Sequence, residues 1–314
     1  MLSPVSSKAT AIGFRRRIVL CADDYALAPG VSRAVLDLIA LGRLSATSCM
    51  TVSGFWPEHA GWLKPLAARC DIGLHFTLTD HRPLTVARSL AEDNRLPGLG
   101  RLMARAFAGR LSQVAVVDEL HAQLDAFEAV LGAPPQFIDG HRHVHQLPIV
   151  YQAVIEAMRT RLPNPGGWLR VCSDSPQRLL RRRVATLRSL VIAALGLPLH
   201  AAAKRAGLRT NHGFSGVNRF DRTEDFARLF ARFLLAAPDW SLIMCHPGLV
   251  DAELQRADPV SFRREDEYRF LVSDALPEAL ALAGVQLARL YTCEPVLTCR
   301  AERGSTASDP NPSA

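Results

Sequence analysis

The chain has no Cys-x-x-Cys pair, and its seven cysteines (Cys21, Cys49, Cys70, Cys172, Cys245, Cys293 and Cys299) are odd in number and widely spaced. That argues against a disulfide frame or a zinc finger. Thiols inside apolar runs read as small buried hydrophobes in a reducing compartment. No unbroken run of 18 apolar residues occurs, so no membrane-spanning helix is expected. Residues 1–13 lack the apolar stretch of a signal peptide, and Arg15, Arg16 and Arg17 lead straight into a strand-like segment. A cytoplasmic location is the expectation. No Gly-x-Gly-x-x-Gly or P-loop opens a helix, which disfavours an open nucleotide-binding sheet. There is no internal repeat.

Acid is missing from one segment. Between Arg178 and Arg209 stand eight cations and no Asp or Glu, and setting these against the net charge of +7 leaves −1 for the rest. The basicity therefore belongs to one segment rather than to a whole face, and a nucleic-acid partner is not expected. The same segment holds the apolar run 190–199, interrupted by Gly196 and Pro198. An apolar run with basic flanks suits either a peripheral membrane contact through residues 178–209 or a helix packed on the protein with its arginines in water.

What is present is a globular composition, 48% apolar and 21% charged, at a length of 314 residues that suits one α/β barrel. Strand-like runs at residues 18–22, 46–52, 72–78, 137–139, 168–172, 213–217, 242–245 and 286–290 alternate with helical stretches. The clearest helix carries Val114, Val117, Leu120, Leu124, Phe127 and Val130 on one face, with Gly132 at the C-terminal cap position. Others are read near residues 30–42, 57–69, 148–161 and 223–236, with Pro57 and Pro148 in first turns. The expected fold is α/β: a single (β/α)-barrel-like domain, distorted, over residues 15–298, with a basic helical insertion at 176–209. Residues 1–14 and 300–314 are expected to be flexible tails.

Polar residues interrupt the apolar runs where the strands end. Residues 18–22 end in Asp23-Asp24, 72–74 in His75, 137–138 in Asp139-Gly140-His141-Arg142-His143-Val144-His145, and 242–245 in His246-Pro247-Gly248. Strand C-termini of a parallel α/β fold share one rim, so these groups should converge. Adjacent aspartates in an extended chain point to opposite sides, so one can hold a metal while the other acts as base. Asp139, His141, His143 and His145 alternate, which in an extended chain puts four metal- or substrate-binding groups on one face. His246, before a Pro-Gly turn, is placed as a proton donor.

These motifs resemble the YdjC-like carbohydrate deacetylases, the ChbG/HpnK family. The matching stretches are Ala22-Asp23-Asp24-Tyr25, residues 73–79 with Arg82-Pro83-Leu84, residues 139–145, Thr210-Asn211, and Cys245-His246-Pro247-Gly248, in the family's order over roughly residues 17–295. The resemblance implies a distorted (β/α) barrel that hydrolyses acetamido groups on sugars with one divalent metal (Mg, Zn, Mn or Ni). It further implies Asp24, His75 and His141 as metal ligands, Asp23 as base and His246 near the reaction centre. His143, His145, Arg170 and Asn211 fall where polar groups line the sugar pocket. Two positions depart from the pattern. Ala26 replaces the usual Gly, which is tolerated where φ is negative. His212 replaces an Asp.

The expected activity is removal of an acetyl group from an N-acetylated sugar, whether a simple acetamido-sugar, an oligosaccharide or a lipid-linked sugar, with a place in the cytoplasm or peripheral to the inner membrane. The alternatives are a non-catalytic sugar- or metal-binding protein and a non-haem iron oxygenase, which shares the two-His-one-carboxylate set. Oligomeric state is not legible; a homodimer is compatible with the sequence.

Overall fold

Ten residues from Arg16 to Tyr25 form β1, the strand around which the sheet is assembled. The computed structural model describes residues 16–296, apart from residues 87–88, 163–165, 220, 222 and 259. The expected tails, and Cys299, lie outside the described residues. After β1 come β2 (Ala46–Cys49), β3 (Asp71–Phe76), β4 (Phe137–Gly140) and β5 (Trp168–Leu169). These are followed by β6 (Arg209–Thr210), β7 (Gly213–Ser215), β8 (Ser241–Cys245) and β9 (Val285–Leu287). Every pairing between them is parallel, in the order β6-β5-β4-β3-β2-β1-β8-β7, with β9 added against the start of β1. The two ends of this path, β6 and β7, are separated in the chain only by Asn211 and His212. The sheet therefore curls until its ends meet at one segment, giving the distorted barrel expected.

All eight predicted strands are present, and only the two-residue β6 escaped the sequence pattern. Residues Ile18 to Ala22 are completely buried, without alternation. A parallel sheet covered by helices has no wet face, which explains why its strands read as continuous apolar runs. Gly73 lies where a Cβ would come within 2.5 Å of the Phe137 ring, which itself stacks on Trp168 at 4.0 Å. At the N-terminal end of β3, buried Asp71 accepts hydrogen bonds from Trp168 Nε1, Arg289 Nε and the Tyr291 amide. This closes the end of the barrel opposite the rim described below.

The predicted helix face at residues 114–130 belongs to the helix Gln113–Leu131, and Gly132 caps it with φ 76°. Pro57 lies in the first turn of Trp56–Leu63, but Pro148 precedes the helix Val150–Thr160 rather than starting it. The basic segment forms two helices, Pro176–Arg182 and Thr186–Arg205. The second, with mean hydropathy 1.4, is by length and composition the one helix among the described residues able to cross a bilayer. A search for an unbroken apolar run misses it. Its stripe of Ser189, Ala193, Gly196, Leu199 and Ala203 is nevertheless buried against the protein. Of the described cysteines all are free, and only Cys293 is exposed.

Candidate functional site

The C-terminal ends of β1, β3, β4 and β8 surround a cavity of about 760 Å³ whose wall includes Asp23, Asp24, His75, His141, His143 and His246. The strand-end rule thus brings these six together, while Asp139 and His145, from the same stretch, are buried outside the cavity wall. The local backbone differs from the extended chain assumed for them. β1 slips register between Ala22 and Tyr25, and Asp24 adopts a left-handed φ of 66°. That turn lets both carboxylates reach one cavity instead of opposite sides of a strand. Ala26 also has a positive φ, 73°, contrary to the expectation of a negative one. The left-handed alanine carries a strain of roughly 1 kcal/mol where a glycine would carry none.

Asp24 is the hub. Its Oδ1 lies 3.1 Å from His75 Nε2 and 2.9 Å from His141 Nδ1. Its Oδ2 accepts a 2.6 Å hydrogen bond from Arg264, whose Nε is held at 2.7 Å by Asp258. One ligand atom each from Asp24, His75 and His141 falls within a 4.8 Å group. The surroundings fit a metal site as well. His75 Nδ1 donates to Asp139 Oδ1 at 2.6 Å with Ser48 Oγ at 2.9 Å. This kind of carboxylate support fixes the tautomer and leaves the other ring nitrogen free to ligate. Burial alone would depress the His75 pKa, but the Asp139 and Asp24 carboxylates outweigh it and raise it to about 10.

A second buried network lies under the first. Arg170, fully buried, grips Asp23 with both terminal nitrogens at 2.5 and 2.7 Å and reaches Asp139 Oδ2 at 2.6 Å. Burial would raise the Asp23 pKa, yet the Arg170 guanidinium holds the carboxyl well below the usual carboxylate range. His246 Nε2 sits 4.0 Å from Asp23 Oδ2. Burial pushes the His246 pKa down despite Asp23 and Asp24, which disfavours the imidazolium form. The His246 amide donates to Glu267 Oε2 at 2.5 Å.

Three residues expected to line the sugar pocket stand behind it. Residues His141–Gln146 form a tight 3-10 turn, with Arg142 and His143 at φ 52° and 62°, so the alternation assumed for 139–145 does not occur. His143 stays at the cavity wall, but His145 is buried with Nε2 on the Arg170 carbonyl at 3.2 Å. Arg170 serves Asp23 and Asp139 from below. Asn211 accepts from the Val171 amide and donates to the carbonyls of Val171 and Gly213, fastening the junction of β6 and β7. Exposed His212 shares that junction through its amide on the Trp240 carbonyl.

The reverse omission is Arg264, Glu267 and His81. Arg264 and Glu267 sit in a run of five charged residues, 263–267, which reads as a solvated helix face. Helical spacing nonetheless puts Arg263, Arg264 and Glu267 on one buried side. His81 lies at the cavity with its ring 6.0 Å from that of His141.

Burial raises the Glu267 pKa to about 7, against the lowering effect of the His246 amide. Its contribution to stability is therefore whole below the unfolded value and lost as pH rises through about 7. Glu267→Gln keeps an oxygen for the His246 amide and cannot ionise. Denaturant titrations from pH 5 to 6.5, below the range in which His75 loses its own contribution, are expected to show a wild-type decline steeper than this variant's; parallel slopes would refute the assignment.

Over residues 17–282 the chain matches the family described as YdjC-like protein. It is 31% identical over 277 residues to a chitooligosaccharide deacetylase of Yersinia pestis (strain Pestoides F), covering 88% of this chain and 98% of that one. The chitooligosaccharide deacetylase of Yersinia pseudotuberculosis serotype O:1b (strain IP 31758) matches to the same extent. Among solved structures, a candidate cellobiose-phosphate cleavage protein from Enterococcus faecalis V583 superposes with a TM-score of 0.68 at 21% identity, covering 89% of this chain and 99% of that chain.

Proposed function

The chain belongs to the YdjC-like family, and from that premise we propose that it is a metal-dependent hydrolase that removes the acetyl group from an N-acetylated sugar. The observation that carries the reading is the meeting of two sets in one cavity: the donors of buried Asp24 and His75 with half-buried His141, and beside them the Arg170-held carboxylate of buried Asp23. Relatives of nearly the same length are named for deacetylation of chitooligosaccharides, which supports an acetamido-sugar as substrate.

Asp24, His75 and His141 would hold the ion, and two imidazoles with one carboxylate suit Zn, Mn or Ni better than Mg. When bound, a divalent ion there supplies Lewis acidity toward the acetyl carbonyl and the attacking water. Asp23 takes the proton from that water. Arg170 keeps this carboxylate ionised and aimed, and the low proton affinity it imposes means that the proton moves on. His246, neutral and 4.0 Å away, is the group able to receive it and deliver it to the departing amine. His143 and His81 offer ring nitrogens to sugar hydroxyls, and Leu99, Met103, Ile192 and Leu195 give the cavity an apolar wall. A volume of about 760 Å³ accommodates a short oligosaccharide or the sugar end of a glycolipid.

A non-haem iron oxygenase would use the same three donors, but it gives no role to a second carboxylate clamped by arginine. The two are separated by products. Incubation with N,N′-diacetylchitobiose and longer N-acetylated oligomers is expected to release acetate and a free amine in equal amounts, without oxygen uptake. Absence of both products across N-acetylated mono-, oligo- and lipid-linked sugars would overturn the proposal.

A further inference from the structure

The helix Thr186–Arg205 turns an apolar face to water. Opposite its buried stripe, Leu187, Val191 and Leu197 are 78%, 50% and 59% exposed, and Ala194, Pro198 and Ala201 fill the exposed positions between and beyond them. Steps of three and four residues link 187, 191, 194 and 198, and likewise 194, 197 and 201, so these side chains share one face. A charged or polar face is the usual outward choice for a helix packed on a soluble protein. Here the polarity is inverted.

Charge brackets that face. Arg178 and Arg182 pair with Asp174. Exposed Arg181 and Arg183 at one end, and Lys204 and Arg205 at the other, have no ion-pair partner among the described residues. The stripe also adjoins the site, since Val191 belongs both to the exposed face and, with Ile192 and Leu195, to the cavity wall.

We propose that this face docks on an anionic lipid bilayer, lying in the headgroup plane with the cavity mouth turned toward the membrane. A second copy of the chain is disfavoured as the occupant, because a two-fold contact through this helix would gather unneutralised cations of the same sign. Crossing the bilayer is disfavoured because Ser189, Ala193, Gly196, Leu199 and Ala203 would have to leave their packing. An apolar strip with basic ends is the pattern of interfacial helices, anchored by buried apolar area and by attraction to anionic lipid. The purpose of the docking, access to a sugar carried on a lipid, rests on the function proposed above; the docking itself is read without reference to turnover.

The test is vesicle sedimentation of the full chain. Wild type is expected to pellet with vesicles of phosphatidylglycerol and phosphatidylcholine at low salt, to pellet less as salt rises, and to stay in solution with phosphatidylcholine alone. Each cation near such a surface multiplies binding by about five, so Arg181→Gln with Arg183→Gln should weaken it by more than about twenty-fold. Leu187→Gln with Leu197→Gln should weaken it as well. None of these four side chains lines the cavity, so both variants should release acetate from a soluble N-acetylated oligosaccharide at the wild-type rate, which also reports that they are folded. Wild type left in the supernatant with anionic vesicles at low salt overturns the proposal. So does binding indifferent to salt and to the arginines, or a dimer by sedimentation equilibrium that the leucine variant dissociates. Docking without acetate release would instead count against the deacetylase reading alone.

Discussion

His141→Ala is expected to leave the purified protein without a tightly held divalent ion and without measurable turnover. His141 contributes one of three donors, and its Nδ1 stands 2.9 Å from Asp24 Oδ1. Two remaining protein ligands fall below the three that catalytic sites of this kind ordinarily use. The fold should survive, because the imidazole lines the cavity rather than the core. Elemental analysis of the variant, with circular dichroism as the check on folding, reads the effect. Full wild-type metal content in folded His141→Ala would remove His141 from the ligand set. His75→Ala is a less clean probe, since it would also strip Asp139 Oδ1 of its 2.6 Å partner and leave Asp139 with Arg170 alone.

Asp23→Asn should do the opposite: retain the ion and lose most of the rate. Asp24 remains to ligate, so metal content should match wild type. Arg170 keeps Asp139 as a partner at 2.6 Å, so no buried guanidinium is stranded. The amide cannot take a proton from water, and loss of a general base lowers turnover by about 10²–10⁴-fold. The fall should appear in kcat more than in KM, because Asp23 is assigned to the reacting water and not to the sugar. Turnover near wild type in metal-replete Asp23→Asn would show that another group is the base.

The barrel was legible because a parallel sheet buried on both faces leaves its strands as bare apolar runs, and the first polar residues after them mark the rim. That logic points to Asp23, Asp24, His75, His141 and His246 without any knowledge of the backbone between them, and the structure sets all five at one cavity. It failed where the backbone turned. Arg142 and His143 both take left-handed conformations, yet neither is a Gly or Asn that would have announced a turn, so an alternation was read across a tight 3-10 turn. Arg170, expected to line the sugar pocket, stands below it against Asp23 and Asp139. A buried arginine between Leu169 and Val171, just past the end of β5, must find acids nearby, and it finds two. Arg264 and Glu267 were invisible for the contrary reason: a run of charges resembles a wet helix face until packing buries one side of it.

The most direct measurement is acetate release by metal-stripped protein titrated with single divalent ions, using an N-acetylated chitooligosaccharide as substrate. The account predicts that the stripped protein is inactive, that activity returns and saturates near one equivalent of ion per chain, and that His141→Ala neither binds the ion nor recovers. Acetate release that is undiminished after stripping, or that returns equally in His141→Ala, would contradict it.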